Sequence, residues 1–256
     1  MTRRIRLTVE YDGAAFHGWQ RQPQGDIATV QDAIEKAIFK ITGEQVNTAA
    51  AGRTDAGVHA KGQVCHFDIE KDCELVCFKD GINRFTPYEV VITKVQHVED
   101  DFHARFSAHA REYEFLIFNR REPSALTRNH AIHIVQKLDV EKMHRIAQAL
   151  VGEHDYSAFR TSECSAKSPV SHIEFINITR EGDMVKLHIK ATKFLHNMVR
   201  IITGTLCEIG RDHRPETLIA ELLETKDRKK AGKTVPPQGL YFLKAYYPEY
   251  EIYDQC

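Results

Sequence analysis

The chain has 256 residues, enough for one large domain or two of ordinary size, and it can bury roughly 70–75% of its unfolded surface without a metal or disulfide staple. Its 42% hydrophobic and 28% charged residues exclude a disordered chain, and no apolar run approaches the roughly 18 residues of a spanning helix. Thirty-five Lys+Arg against 36 Asp+Glu exclude an indiscriminate polycation, so a nucleic-acid enzyme of this composition must gather its positive charge in one place.

In chain order, Ile5, Leu7, Val9 and Tyr11 alternate with Arg4, Arg6, Thr8 and Glu10, the period of a half-buried strand ended by Asp12-Gly13. The arginines before it have no apolar segment behind them, so no signal peptide and a cytoplasmic location are expected. Thr29 then caps a helix carrying Val30, Ala33, Ile34, Ala37, Ile38 and Ile41 on one face, with Gly43 as its stop. Gln63–Ile69 and Glu89–Val95 read as further strands. After the acidic Glu99-Asp100-Asp101 the order begins again. Glu112–Phe118 is an aromatic-rich strand with Tyr113, Phe115 and Ile117 on one face. Val140, Met143, Ile146, Ala147, Leu150 and Val151 make a second amphipathic helix. Ile173–Thr179 and Val185–Ala191 flank the hairpin signal Glu181-Gly182-Asp183. A third helix carries Leu195, Met198, Val199, Ile202, Leu206 and Ile209, and Pro215 opens a fourth.

Strand, helix, strands, twice over, predicts an α+β fold, an α/β sandwich of two similar halves. Each half is expected to be a mostly antiparallel sheet with helices on one face. The expected domains are residues 1–105 and 106–256. The six cysteines, Cys65, Cys73, Cys77, Cys164, Cys207 and Cys256, form no C-x-x-C and no zinc-finger spacing, so free thiols and no metal are expected.

The densest chemical stretch is Gly52-Arg53-Thr54-Asp55-Ala56-Gly57-Val58-His59-Ala60. Arg53 can hold Asp55 ionised and aimed, which suits a nucleophile or base. The same residues also suit a tight turn with an Asx hydrogen bond and a local ion pair. Gly232-Lys233-Thr234 imitates the end of a phosphate-binding loop, but Asp227 stands where that loop needs glycine. Basic residues gather at Arg3-Arg4-Arg6, at Arg120-Arg121 and over Lys226–Lys233, which suggests a polyanion partner. Tyr11, Phe16, Trp19, Tyr113 and Tyr241 offer planes for base stacking or for ordinary core packing.

These residues resemble the tRNA pseudouridine synthase A family. Tyr11-Asp12-Gly13 through Trp19-Gln20-Arg21-Gln22 matches its opening block, and Gly52–Ala60 stands intact. Phe102–Ala108, Arg111–Tyr113, the helix Phe194–Arg200 and Gly239–Tyr241 follow in order. The resemblance implies an isomerase that converts uridine to pseudouridine at positions 38, 39 and 40 of the tRNA anticodon stem-loop. It implies no cofactor or metal, a homodimer, and two halves flanking a basic cleft. By motif, Asp55 is the nucleophile, with Arg53, Tyr113 and Arg200 as its catalytic companions. Tyr113, Leu240, Arg21 and Arg105 form the substrate-binding set. Phe115 and Phe242 stand where many members carry Tyr and Leu. The rival reading is a non-catalytic RNA-binding protein with two RRM-like halves, weakened by the absence of an RNP1 segment.

Overall fold

The computed structural model describes residues 2–22, 27–72, 74–164, 166–248 and 250. In chain order the elements are β1 (Arg3–Tyr11), α1 (Val30–Thr42), β2 (Ala49–Ala50), β3 (His59–Ile69), α2 (Leu75–Phe85), β4 (Val90–Val98), β5 (Ala110–Phe118), β6 (Ile132–His133), α3 (Val140–Ala147), β7 (Gly152–Asp155), β8 (Val170–Glu181), β9 (Met184–Ala191), α4 (Met198–Gly210), α5 (Leu218–Thr225) and β10 (Leu240–Tyr246). The fold is α+β: β1–β3, β1–β4, β2–β3, β5–β9, β7–β8 and β8–β9 pair antiparallel, whereas β10 on β3 and β6 on β5 are parallel. Two compact units form: Met1–His109 with Tyr241–Cys256, and Ala110–Leu240. This division differs from the expected one at 105/106. The last strand returns to the first unit, where Tyr241 pairs with His59 and Phe242 with Ala60. No local pattern announces such a distant partner.

In the first unit the strand order is β4-β1-β3-β10, with β2 on β3. The register sets Ile5 beside Phe67 and Leu7 beside Cys65, all essentially buried, and Phe67 meets Phe78 of α2 edge to face. That face is the helix side of the sheet. α1 begins as its sequence dictates: the Thr29 hydroxyl accepts from Asp32 N, and Gly43 closes the helix at φ 78°. α2 is absent from the sequence reading. Gly81 at its centre reads as a helix breaker, yet a Cβ there would lie 3.1 Å from the Ile41 side chain of α1. Glycine at this point admits the neighbouring helix.

The opposite face of this sheet is polar by pattern but not free. Arg4 faces Asp68, and Arg6 faces both His66 and Gln96. The segment around residues 99–108 lies over these side chains: Arg4 donates to the carbonyl of Phe102 at 2.9 Å, and the Arg6 guanidinium stands 5.7 Å from the Phe102 ring centre. Alternation therefore marks two different covers, one helical and one irregular.

In the second unit the order is β5-β9-β8-β7, with β6 beside β5. Tyr113 pairs with Ile189 and Phe115 with Leu187, so the apolar stripes of β5 and β9 share one face. α3 starts at the Asp139 cap, whose carboxylate accepts from Lys142 N. α4 begins at Met198, not at Leu195 as the apolar spacing predicts, because Asn197 takes a left-handed conformation at φ 62°. Leu195 is still buried, but from the approach to the helix. α5 likewise starts at Leu218, after a turn in which Leu218 N donates to Pro215 O. Among the described residues no helix is long and apolar enough to cross a membrane.

Candidate active site

In the first unit, the opening block and the Asp55 turn are two loops closed on each other. Trp19 N donates to Thr54 O at 3.1 Å, Gly57 N to Phe16 O at 3.3 Å, and Gly13 N to His59 Nδ1 at 3.1 Å. The loops touch so closely that a Cβ on Gly13 would fall 2.0 Å from Val58 O, and one on Gly18, at φ +92°, 2.7 Å from Thr54 O. The Tyr11 hydroxyl and Thr54 Oγ1 are 2.7 Å apart in the core. Burial raises the Tyr11 phenol to about 12, so it remains a neutral hydrogen-bonding group. Gln63, fully buried, donates to Gly52 O at 2.9 Å. The residues on either side of Asp55 are thus held from below, and the half-buried Asp55 is carried on a turn closed by Val58 N donating to Asp55 O. A turn clamped this way presents its carboxylate on a rigid mount.

Arg53 takes another place than the ion pair expected of it. Among the described residues it makes no ion pair with Asp55. Its exposed side chain instead lines a cavity of about 250 Å³ with Trp19, Gln31, Thr48, His103, Arg105 and Phe106. Two guanidinium groups and an exposed phenyl ring border this space, a chemistry suited to a phosphate and a base. Arg21 stands beside it through α1: its backbone N donates to Gln31 Oε1, and its guanidinium is 3.0 Å from Glu35 Oε2. Glu35, 6% exposed, also accepts from Thr48 N at 2.8 Å and from Gln31 Nε2 at 2.8 Å. The sequence reading missed Glu35. Its only signal is a Gln–Glu pair at i, i+4 on the buried side of α1.

In the second unit, Tyr113 is a mostly buried ring on β5, edge-on to Phe194 at 4.9 Å. Arg200, in the first turns of α4, donates from Nε to Val235 O at 2.8 Å and from Nη1 to Asn197 Oδ1 at 2.5 Å. The strained Asn197 that starts the helix therefore also aims its arginine. Leu240 is buried at the head of β10. The segment that supplies Val235 is pressed onto α4 at a glycine: a Cβ on Gly204 would lie 1.9 Å from Lys233 O. Gly204→Ala is expected to cost roughly 1–3 kcal/mol, as overpacking does. It should also lower turnover, because the acceptor of Arg200 must shift. Thermal unfolding measured beside turnover checks both.

Comparison with known proteins decides the family. The sequence profile of the tRNA pseudouridine synthases matches residues 7–107 and 146–248, most of the chain. The protein named tRNA pseudouridine synthase A in Pseudoalteromonas atlantica is 47% identical over 246 residues, covering 96% of this chain and 93% of its own. The protein of the same name in Citrobacter koseri is 43% identical over 246 residues, covering 96% and 90%. The chain belongs to the tRNA pseudouridine synthase family. The two matched segments also echo the doubled element order read from the sequence, and membership makes the chain an isomerase.

The basic runs of this synthase are not the free surface that the sequence pattern suggests. Arg3 bonds Asp72 at 2.6 Å, Arg4 bonds Asp68 at 2.7 Å, and Arg6 is buried. Arg120 lies 3.3 Å from Asp183 and 4.6 Å from the centre of the Phe118 ring. In the loop after α5, Lys226 pairs with Asp155 at 3.1 Å, Lys230 with Glu221 at 2.5 Å, and Arg228 donates to Gly232 O. Charge runs in a sequence do not show their partners, which here come from distant strands and helices. The synthase has free thiols at Cys65, Cys77, Cys164 and Cys207, and burial pushes the Cys207 thiol up to about 12. Cys73 and Cys256 lie outside the described residues.

Proposed function

We propose that this synthase isomerises uridine to pseudouridine at positions 38, 39 and 40 of the tRNA anticodon stem-loop, with Asp55 as nucleophile and without cofactor or metal. The observation that carries this reading is the clamped turn. It mounts Asp55 rigidly, while Arg53 of the same turn joins Arg105 and Phe106 around a cavity of nucleotide chemistry. Asp55 attacks the base or C1′, the N1–C1′ bond breaks, and the uracil turns. C5 then bonds C1′, the bond to Asp55 breaks and returns its carboxylate, the C5 proton leaves and N1 gains one. Tyr113 stacks on the turned base and takes the C5 proton, Arg200 orients the nucleotide, and Leu240 walls the base. Arg21 and Arg105 hold the RNA backbone. A uridine must leave its stack to be reached, at a cost of a few kcal/mol, which such contacts offset. The enzyme acts in the cytoplasm as a homodimer.

The test is incubation with unmodified tRNA in EDTA, followed by nucleoside analysis and mapping of the modified positions. Pseudouridine confined to 38–40 is the expected product. Binding without turnover would favour the RRM-like reading, and free uracil would favour a hydrolase.

The pairing within the Lys226–Lys233 run gives a sharper expectation than its charge. Lys230 is already engaged by Glu221, whereas Lys229 is exposed. Lys229→Ala should flatten the slope of log K against log[salt] by roughly 0.7–0.9, the value of one phosphate contact. Lys230→Ala should change it less. No effect of either substitution would remove this loop from the RNA surface, and equal effects would show that Glu221 does not withhold Lys230.

A further inference from the structure

Arg105 and Phe106 stand on a turn whose backbone is tied to two imidazoles. Arg105 N donates to His103 Nδ1 at 3.1 Å and Phe106 N approaches the same nitrogen at 3.4 Å. Ala104 N donates to Nδ1 of His66, a buried residue of β3, at 3.2 Å. The two rings meet edge to face with centres 4.7 Å apart, and His103 lies against the exposed Phe106 at 4.4 Å. The turn is closed by His103 N donating to Ser107 Oγ at 2.9 Å, and the Tyr247 hydroxyl donates to Ala104 O at 2.6 Å. Three successive backbone N–H groups thus point at ring nitrogens. Backbone carbonyls are the usual acceptors in such a turn, and imidazole differs from them in one respect: it can be protonated.

We propose that His103 and His66, acting as neutral acceptors, are positioning residues that hold Arg105 and Phe106 on the cavity lined by Arg53, and that acid releases this turn. The proposal rests on the reading of Arg105 as a tRNA contact. A proton on Nδ1 would set N–H against N–H and dismantle the turn. The groups around the pair are Arg4 and Arg6 on β1, Asp68 on β3, Asp100 and Asp101 ahead of the turn, Arg105 within it, and the hydroxyls of Tyr247 and Tyr250. Burial, the neighbouring His103 and the Arg4 cation bring His66 down to about 4, and Asp68 opposes them. Burial, Arg4 and Arg105 lower His103 too. Both folded values lie below the ordinary 6.5, so the turn is fully held above that pH and loosens as pH falls toward the folded values.

The experiment measures amide exchange protection of residues 104–106, corrected for intrinsic rates, and tRNA KM and kcat, between pH 7.5 and 5. It compares wild type, His103→Ala, His103→Asn and Arg105→Ala. In wild type, protection should fall and KM rise together on acidification, with kcat little changed. His103→Ala should lose about tenfold in protection at pH 7.5, as for one hydrogen bond, with a matching rise in KM. His103→Asn offers a non-titrating side-chain oxygen to the same amides. It should keep both properties at pH 7.5 and blunt the acid response. Wild-type protection in His103→Ala, or an undiminished acid response in His103→Asn, would overturn the proposal. Arg105→Ala should raise KM while leaving protection at pH 7.5 intact, and loss of its cation beside His103 should move the acid loosening toward higher pH. An unchanged KM there would sink the tRNA-contact reading alone, with the histidines still judged by protection.

Discussion

Asp55→Asn is expected to abolish detectable pseudouridine while changing tRNA affinity by less than about tenfold, or roughly 1.4 kcal/mol. The turn around Asp55 is built from backbone bonds and neighbours: Trp19 N on Thr54 O, Val58 N on Asp55 O, and Tyr11 on the Thr54 hydroxyl. None of these needs the Asp55 carboxylate. Asparagine keeps its volume and its tolerance of turns, so only the carboxylate of the proposed nucleophile is removed. Nucleoside analysis at long incubation, set beside a binding isotherm, reads both quantities. Turnover near the wild-type rate would strip Asp55 of its catalytic role. A collapse of binding or of melting temperature would make it a structural turn residue instead.

Tyr113→Phe is expected to lower turnover by roughly 10²–10⁴, the range of a lost proton-transfer group, with near-normal affinity and stability. The ring is mostly buried on β5 and edge-on to Phe194, so its packing survives loss of the hydroxyl. Tyr113→Ala removes the stacking plane as well. It should weaken binding by about 1–3 kcal/mol on top of the loss of turnover. The contrast between the two variants carries the test, because core packing and catalysis predict opposite patterns. If Tyr113→Phe turned over like wild type, stacking would be its whole role. A melting-temperature drop that tracked the lost activity would return the residue to the core.

Much of this molecule is written locally. The alternation Ile5, Leu7, Val9 places β1 on the helix face, and Thr29 with Gly43 brackets α1, because period and caps act over a few residues. The Asp55 turn is legible for the same reason: its glycines, its nucleophile candidate and its arginine are contiguous in the chain. Where short-range rules compete, the reading slips. Gly81 breaks the pattern of α2 yet fits against Ile41, and Asn197 cuts α4 short of Leu195.

The tertiary structure decided which charges are free. Arg4 looks like part of a basic run, but the β1–β3 register sets it on Asp68, 64 residues away in sequence. Arg53 reads as the partner of Asp55 because the two are neighbours in the chain, whereas the fold turns it into a cavity shared with Arg105. The return of β10 to β3 and the hold of His66 on residues 102–108 have no local signal at all. Period, caps and turn residues act through the chain itself and can be read from it. Ion pairs, acceptor imidazoles and cavity walls depend on which distant segments the register brings together, and that is a property of the packed sheet.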